Sequence, residues 1–410
     1  MLDNAKLLVQ LGRQVVRRQL AKRRLSERLQ RSGLEPGADA PFRCAVYFSD
    51  DPVNLYQIRQ WYAPLQELAK TQPVVVISRM PETTSLLLDE CPLPVVHGPR
   101  VTDIEAFMAG HEIGLVLYVN QNVRNFQMLR FADPAHVFVS HGESDKSYMA
   151  SNQLKAYDRV FIAGAAAAER LAGALVEFDV AARAVEIGRP QADATHEAPQ
   201  LPDDGRTTVL YAPTWEGDRQ SMAYGSIATH GAALLTSLLA DRRFRVVYRP
   251  HPRSGTFDPA YGTASTHLAR LVAEANHADP TAGHLVDTDT PFGWHLARLD
   301  ACVTDISAVA LDWLATGKPL VLTRPASPLA DVEPTRLNTS VPMVEVDRAR
   351  EIVGILDDAM SAPEAFRAEV VQHYFGDTSP GAATQRFVQA ATELIETRVN
   401  RMVNQTPAPS

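Results

Sequence analysis

Apolar residues along the chain follow two alternating patterns: short continuous runs, and longer stretches with apolar positions three or four residues apart. The runs are typical of buried strands, and the longer spacing is typical of amphipathic helices. In the first half of the chain they predict strands at residues 44–48, 74–78, 115–119, 137–140, 160–162 and 185–187. They also predict helices at residues 55–70 and 104–109, and an alanine-rich helix before the last of these strands.

A second set of elements follows the polar stretch 190–206, which we interpret as a linker. The predicted strands are 208–211, 245–248, 284–286, 301–303 and 320–322, and the predicted helices are 227–240, 265–275 and 308–315. Strands that alternate with helices form parallel sheets covered on both faces. We therefore expect an α/β protein with two facing Rossmann-like lobes, at residues 33–195 and 196–360. Residues 361–398 should be helical and cross back onto the first lobe, and residues 399–410 should form a tail.

Residues 1–32 form a basic arm before the first lobe. They contain nine Lys or Arg residues and two acidic ones, a net charge of +7 in a chain whose net charge is −8. Helical spacing places leucine and valine on one face and most basic residues on another. A basic amphipathic helix suits an anionic membrane surface, here the inner face of the cell membrane. A helix docked on the protein and a coiled-coil segment are the alternatives.

Composition limits the remaining classes of function. Hydrophobic residues make up 45% of the 410 residues, and no apolar run approaches the ~18 residues that span a bilayer. Cys44, Cys91 and Cys302 are too widely spaced to suggest a metal site or a disulfide framework, so we expect a reducing cytoplasm. The overall negative charge argues against nucleic acid as a partner.

Polar residues at the carboxyl ends of predicted strands are the candidate ligand-binding residues, because doubly wound sheets bind ligands there. Asp305 and Ser307 follow one strand, and Ser307 is the expected N-cap of a helix whose free N–H groups suit a phosphate. Arg249 and His251 follow another strand, where neighbouring prolines hold the histidine at the tip. A capped helix without a ligand and a turn histidine remain the alternatives.

Two further strand ends carry candidate side chains. Thr214 and Trp215 follow the strand at 208–211, and the flat indole suits a nucleotide base or ribose. His141 follows the strand at 137–140, and a histidine there suits a general base that Glu143 or Asp145 would orient. A buried structural tryptophan and a polar loop beside a structural histidine are the alternatives.

Asp287 and Asp289 form the Asp-x-Asp pattern that metal-dependent sugar transferases use. Two carboxylates are too few ligands for a hard cation. Aspartate residues are common in turns, so a loop at this position accounts for both. We therefore expect neither a bound metal nor a cofactor.

Seven short motifs, in order along the chain, resemble those of the CDP-glycerol glycerophosphotransferase family, which primes and polymerises teichoic acids. They are His141-Gly142, Gly188-Arg189-Pro190, Tyr211-Ala212-Pro213-Thr214-Trp215, Arg249-Pro250-His251-Pro252, Thr304-Asp305-Ile306-Ser307 with Asp312, Thr316-Gly317-Lys318-Pro319 and Tyr374-Phe375-Gly376-Asp377. The resemblance implies the GT-B fold, in which a nucleotide-linked donor binds between two Rossmann-like lobes.

The resemblance also implies roles for the matching residues. His141 corresponds to the family's catalytic histidine. His251 is the implied second catalytic histidine and, with Arg249 and Pro250, holds the donor phosphates. The other implied substrate-binding residues are Gly142, Glu143, Ser144, Asp145, Arg189, Thr214, Trp215, Asp305, Ser307, Ala308 and Asp312.

Four features depart from the family pattern. Gln191 stands where the family turn usually carries arginine, and the loop after Gly142 is acidic. Glu216 stands where a basic residue is frequent, and Ala308 replaces the second serine of a pair. These departures affect the predicted identity of the alditol and of the acceptor more than the prediction of a nucleotide-linked donor.

The sequence thus predicts transfer of a phosphoglycerol or related phosphoalditol group from CDP-glycerol to a hydroxyl of a lipid-linked glycan or teichoic-acid-like acceptor at the membrane, with release of CMP. One alternative is a GT-B glycosyltransferase or nucleotide-sugar enzyme that uses another NDP-linked donor. The other is a binding protein that keeps the fold without catalysis.

Overall fold

The computed structural model describes residues 19–29, 41–144, 147–194, 196–290 and 292–405. Within these ranges the chain forms two parallel sheets, each with helices on both faces, which confirms the predicted α/β architecture.

The first sheet has seven strands in the order β3-β2-β1-β4-β5-β6-β7. Their bounds are β1 Cys44–Phe48, β2 Val74–Ser78, β3 Val95–His97, β4 Leu115–Tyr118, β5 Ala135–Phe138, β6 Arg159–Ile162 and β7 Ala184–Glu186. All neighbouring strands are parallel. The central strands are buried on both faces, which explains why they read as continuous apolar runs.

The helices of this lobe are α1 at residues 19–29, α2 Leu55–Arg59, α3 Tyr62–Ala69, α4 Pro81–Glu90, α5 Val101–Ala109, α6 Ala165–Ala174 and α7 Val180–Arg183. The single helix expected over 55–70 is therefore wrong, because it divides into α2 and α3. Pro64 has no N–H to donate to the carbonyl of Gln60. The helical hydrogen-bond ladder is therefore interrupted at Gln60, between α2 and α3. The sequence patterns also missed α4 and β3.

The second sheet has six parallel strands in the order β10-β9-β8-β11-β12-β13. Their bounds are β8 Thr207–Ala212, β9 Phe244–Tyr248, β10 Leu285–Val286, β11 Ala301–Thr304, β12 Leu320–Thr323 and β13 Met343–Val344. The surrounding helices are α8 Gly231–Ala240, α9 Pro259–Ala278, α10 Trp294–Arg298, α11 Ala308–Leu314, α12 Arg336–Ser340 and α13 Ile352–Ser361. The strand order reverses between β8 and β11, which is where such sheets bind ligands.

Seven 3-10 helices complete the described elements: Pro52–Asn54, Val123–Arg130, Ser147–Ala150, Asn152–Ala156, Pro190–Asp193, Gln220–Met222 and Val346–Glu351.

Two C-terminal helices connect the lobes: α14 Glu364–Phe375 and α15 Ala382–Gln405. Helix α14 contributes Tyr374 and Phe375 to a core of the second lobe. Helix α15 contributes Phe387 and Ile395 to a core of the first lobe. The chain therefore returns to the first lobe after the second sheet is complete.

The described part of the basic arm, α1, lies on the first lobe. Leu25, on the expected apolar face, is 2% exposed. The Arg28 Nη1 atom lies 2.8 Å from a carboxylate oxygen of Asp89 and donates to the carbonyl of Ser85 at 3.2 Å, and both partners belong to α4. The rest of the predicted arm lies outside the described residues. Across the described chain, no helix combines the length and apolar content needed to cross a bilayer.

Candidate functional site

The two candidate histidines lie close to the same aromatic side chain. His141 follows β5 in the first lobe, and His251 follows β9 in the second. The ring of Tyr56, from α2, lies 5.8 Å from the His141 ring and 6.1 Å from the His251 ring, with both pairs nearly perpendicular. Burial raises the pKa of the Tyr56 hydroxyl, which therefore stays neutral at physiological pH. The two lobes thus present one histidine each to a shared cleft.

The backbone before His141 makes a tight and constrained turn. Ser140 has φ of 57°, a left-handed conformation that non-glycine residues rarely adopt. Its carbonyl accepts a hydrogen bond of 2.5 Å from the Trp61 indole, and its hydroxyl donates to the carbonyl of Gly142 at 2.8 Å. The predicted strand 137–140 accordingly ends at Phe138, because Ser140 has already left the extended conformation. These contacts fix the direction in which the chain presents His141.

A small pocket, open to solvent on one side, lies beside this turn. It is lined by Trp61, Val139, Ser140, Gly142, Glu143, Phe161, Ile162, Ala163, Ile187, Gly188, Arg189, Pro190 and Gln191. Glu143 forms an ion pair with Arg170, so its negative charge is balanced at the pocket wall. Ser144 is buried, and Asp145 lies outside the described residues.

The lobes approach each other closely at Gly142. A β-carbon added there would lie 3.0 Å from the β-carbon of Ala308, the first residue of α11. A side chain at position 142 would therefore crowd the contact between the lobes. The absence of a side chain at Gly142 and the small one at Ala308 let the loop of His141 reach the second lobe.

Arg189 and Asp312 form a buried ion pair between the lobes. Their side chains are 6% and 9% exposed. The Arg189 Nε donates to a carboxylate oxygen of Asp312 on α11, and its Nη2 lies 3.4 Å from the side-chain oxygen of Gln60. The family resemblance implies that both charges contact the substrate, whereas the structure pairs them with each other. Their contact fixes how the first lobe sits on α11.

Asp305 organises the loops at the reversal of strand order. Its carboxylate accepts hydrogen bonds from the backbone N–H groups of Thr214 at 2.7 Å and Ser226 at 3.1 Å, and from the Thr323 hydroxyl. Burial raises the pKa of this fully enclosed carboxyl, although the hydrogen bonds oppose that shift. The structure gives Asp305 a positioning role, because the loop that carries Thr214 depends on it.

Ser307 occupies the N-cap position of α11, but its side chain makes no capping hydrogen bond. Ser307 is therefore the N-cap residue, as expected, but the expected capping hydrogen bond is absent. Its backbone is extended, with φ of −158°, and its hydroxyl lies 3.5 Å from that of Thr304. The first N–H groups of α11 consequently lack this side-chain acceptor.

Arg249 is held by a loop of its own lobe. Its guanidinium donates to Asp287 at 2.5 Å and to the Thr290 carbonyl at 2.9 Å. Burial works to raise the pKa of Asp287, but hydrogen bonds from His295 and Thr290 and the Arg249 charge outweigh it, so the pKa lies well below its usual value. Asp287 thus serves as the anionic partner of Arg249, whereas Asp289 is exposed. No group of three potential metal-ligating side chains occurs among the described residues.

The loop after His251 forms an aromatic and cationic cluster with Trp215. The Arg253 guanidinium lies 3.8 Å from the centre of the Trp215 ring, and the Trp215 ring lies 6.5 Å from that of His251. Glu216 accepts hydrogen bonds from the backbone N–H groups of Gly255, Phe257 and Asp258.

Two residues noted in the sequence, Pro250 and Glu216, lie on or against the loop that carries His251. Pro250, half-buried, separates Arg249 from His251 on this loop. The unusual acid Glu216 therefore anchors the loop that carries His251 and Arg253. Sequence reasoning missed Tyr56, Arg253 and the pocket position of Gln191, because none of these residues follows a strand directly.

Two parallel-sheet lobes, with strand ends from both around one cleft, define a protein of the GT-B type. Residues 150–326 match the family model described as CDP-Glycerol:Poly(glycerophosphate) glycerophosphotransferase. The match confirms the predicted resemblance and the prediction of a CDP-glycerol glycerophosphotransferase-like enzyme. The comparison with curated protein sequences gives no match.

Solved structures share the fold at low sequence identity. The wall teichoic acid polymerase TagF is 13% identical, with a TM-score of 0.55 over 96% of this chain and 99% of that one. UDP-GlcNAc 2-epimerase from Neisseria meningitidis is 13% identical, with a TM-score of 0.56 over 86% and 100%. A glycosyltransferase from Rickettsia africae is 12% identical, with a TM-score of 0.51 over 87% and 99%. These similarities confirm the GT-B-like fold.

Proposed function

We propose that the protein transfers a phosphoglycerol group, or a related phosphoalditol group, from CDP-glycerol to a hydroxyl of a membrane-linked glycan or teichoic-acid-like acceptor. The observation that carries this proposal is the placement of His141 and His251, one from each lobe, against the same side chain of Tyr56. The family match over residues 150–326 supports the donor. A histidine on each side suits a transfer in which one reactant lies on each lobe.

The chemistry is an in-line displacement at phosphorus. The acceptor oxygen bonds to the glycerol-bearing phosphorus of the donor, the bond between that phosphorus and the bridging oxygen breaks, and CMP leaves with that oxygen. His141 takes the proton of the acceptor hydroxyl as the new bond forms. His251 and the neighbouring charge of Arg253 stabilise the phosphate oxygens of the departing CMP.

The direct test is a screen of the purified full-length chain for stabilisation by CMP, CDP-glycerol, CDP-ribitol and UDP-sugars. The proposal expects thermal stabilisation by the cytidine compounds and, with CDP-glycerol and an acceptor, the formation of CMP. Stabilisation by a UDP-sugar with release of UDP would instead identify a glycosyltransferase or nucleotide-sugar enzyme. Binding of CDP-glycerol without any turnover would identify a binding protein.

Gly142→Ala should reduce turnover by separating the lobes. The added methyl group meets a β-carbon fixed to α11, which cannot rotate away. We expect kcat/KM to fall by about tenfold or more, since small misplacements of reacting groups are costly. Gly173→Ala is the matched control, because a β-carbon at Gly173 meets no atom within 4 Å. Full activity of Gly142→Ala would show that the contact with Ala308 does not matter.

Donor cleavage should survive an excess of EDTA. Asp287 already accepts hydrogen bonds from Arg249, His295 and Thr290, which leaves it poorly placed to bind a divalent cation. The measurement is the rate of CMP formation from CDP-glycerol before and after chelation. A complete loss that Mg²⁺ or Mn²⁺ restores would contradict this expectation and return Asp287 and Asp289 to consideration as ligands.

The basic arm should bind anionic vesicles, and the binding should weaken as salt rises. In the described part, Lys22, Arg23 and Arg24 are exposed, whereas Leu25 is buried. The attraction contributed by α1 is therefore electrostatic. Cosedimentation with phosphatidylserine vesicles at low and high salt measures it, and a chain with Lys22, Arg23 and Arg24 changed to Gln is the comparison. Equal sedimentation of the two proteins at low salt would show that α1 does not contribute to membrane binding.

A further inference from the structure

The hydroxyl of Tyr56 has a donor hydrogen that the ring contacts with His141 and His251 do not use. Tyr56 is half-buried, and its hydroxyl accepts a long hydrogen bond of 3.4 Å from the side-chain nitrogen of Gln57. A phenol hydroxyl can also donate. Among the described residues, the Tyr56 hydroxyl donates to no acceptor.

A chain of polar side chains lies behind this hydroxyl. Asp50 and Asn120 follow β1 and β4, the two strands between which the order of the first sheet reverses. The Asn120 side-chain nitrogen donates to an Asp50 carboxylate oxygen at 3.0 Å and to the Gln57 side-chain oxygen at 2.8 Å. Asn120 and Gln57 are both buried, so their amides are held in place. The Gln57 nitrogen thus approaches the Tyr56 hydroxyl as a donor, which leaves the O–H free to point elsewhere.

The Tyr56 hydroxyl lies near charged groups of both lobes. Burial is the main cause of its raised pKa, the Gln57 hydrogen bond and the Arg253 charge oppose that rise, and the Asp50 charge adds to it. Asp50 belongs to the first lobe and Arg253 to the second. The hydroxyl is therefore in the cleft, and it keeps its proton at physiological pH.

The proposed reaction requires a hydrogen-bond donor at such a place. In an in-line displacement the attacking and leaving oxygens lie on opposite sides of phosphorus, and the charge is spread over the equatorial oxygens between them. His141 serves the attacking oxygen and His251 the departing side. The Tyr56 ring is at nearly the same distance from both histidine rings, 5.8 Å and 6.1 Å. A donor on this ring therefore faces the equatorial oxygens.

We propose that Tyr56 is a catalytic residue whose hydroxyl donates a hydrogen bond to an equatorial oxygen of the phosphorus under attack, and that Gln57 positions it. The inference rests on the proposed function, because it assigns a role in that reaction. The proton stays on the Tyr56 hydroxyl, and no covalent bond to the residue forms or breaks. A donor that is already in place stabilises charge as it develops, without reorganisation during the reaction.

The first experiment compares Tyr56→Phe with the wild-type full-length chain, using CDP-glycerol and a short glycerol phosphate oligomer as acceptor. The kcat for CMP formation should fall by about 10²-fold, the usual effect of removing one such donor, while CMP affinity stays unchanged. Tyr62→Phe is the matched control and should keep the wild-type kcat. Its hydroxyl donates at 3.1 Å to Glu90, the last residue of α4, which leads back to the start of β3. Equal turnover of Tyr56→Phe and wild type would overturn the inference.

A second experiment tests the positioning by Gln57. Gln57→Leu removes the amide that approaches the Tyr56 hydroxyl, and kcat should fall by about tenfold, since small misplacements of catalytic groups are costly. In the Tyr56→Phe background the same change should lower kcat no further, because the hydroxyl that it positions is already absent. Thermal unfolding measures the structural cost of Gln57→Leu in each background. An equal loss of kcat in both backgrounds would overturn the positioning role.

A third measurement separates this inference from the proposed function. Orthovanadate bound together with CMP mimics five-coordinate phosphorus, and such mimics bind tightly where the transition state is stabilised. Calorimetry should show that Tyr56→Phe weakens vanadate binding in the presence of CMP by about tenfold or more, with CMP binding alone unchanged.

A wild-type chain that forms no CMP from CDP-glycerol would overturn the proposed function, and the vanadate comparison would still decide the role of Tyr56. Weaker vanadate binding to Tyr56→Phe than to wild type would support a hydrogen bond from the hydroxyl to the phosphorus oxygens. Equal vanadate binding to the two proteins, or none to either, would reject that role.

Discussion

His141→Ala should lower kcat by roughly 10²–10⁴-fold, the usual contribution of a general base, with little change in donor affinity. The histidine follows the constrained turn at Ser140, whose own contacts hold the backbone that presents it. Removing the imidazole therefore removes the base and leaves the loop intact. Single-turnover rates on a verified donor and acceptor pair, with CMP binding measured separately, distinguish the chemical step from binding.

His251→Ala provides the contrast. His251 lies beside Trp215 and Arg253 in the second lobe. Loss of its imidazole should therefore weaken CMP binding as well as slow the reaction. If His141→Ala retains near wild-type turnover, the proposed mechanism fails while the fold remains. If the two variants change CMP affinity equally, the division of roles between the lobes is wrong.

Tyr56→Phe tests the contact that joins the two histidines and supports the interpretation of both variants. The ring packs edge-on against His141 and His251, and the phenylalanine ring keeps those contacts. A rate close to wild type would show that Tyr56 acts through its ring. A loss as large as that of His141→Ala would place its hydroxyl in the chemistry.

The sheets were predictable from sequence because their strands are buried on both faces. Runs such as residues 74–78 carry no polar interruption, and the structure has β2 at the same bounds. Strand β3 was missed because Val95, Val96 and His97 are only half-buried at an edge and too short to form a run. Helix α4 was missed because Thr83 and Thr84 on its buried face read as polar positions.

Candidate residues at strand ends were easier to find than their partners. His141 and His251 each follow a predicted strand of a different lobe, and strand ends of two facing lobes meet at one cleft, so the pair could be proposed from sequence. The pairing of Arg189 with Asp312 could not, because the two residues are far apart in sequence and each alone resembles a ligand-binding charge. The hydrogen bonds that Asn120 makes to Asp50 and Gln57 depend on the packing of separate strand ends, which no local pattern encodes.

Asp312→Ala should destabilise the protein by about 3–5 kcal/mol, because it leaves the Arg189 guanidinium buried without its carboxylate. Asp357→Ala is the matched control. Asp357 pairs with Arg243 at 3.1 Å, but those side chains are 39% and 57% exposed, and removal of such a pair costs at most about 1 kcal/mol. Urea unfolding followed by tryptophan fluorescence gives both values on the same scale.

Replacing both charges tests what the pair contributes beyond stability. Arg189→Met combined with Asp312→Leu removes two buried charges together, and well-packed apolar substitutes often restore or exceed the original stability. Because the pair joins Arg189 at the end of the first lobe to α11 of the second, turnover should stay low even where stability returns. A double variant that regains both stability and turnover would show that the ion pair is not required to align the two histidines. A loss below about 1 kcal/mol in Asp312→Ala would mean that water reaches the guanidinium and that the lobes are held together by their apolar contacts with α14 and α15.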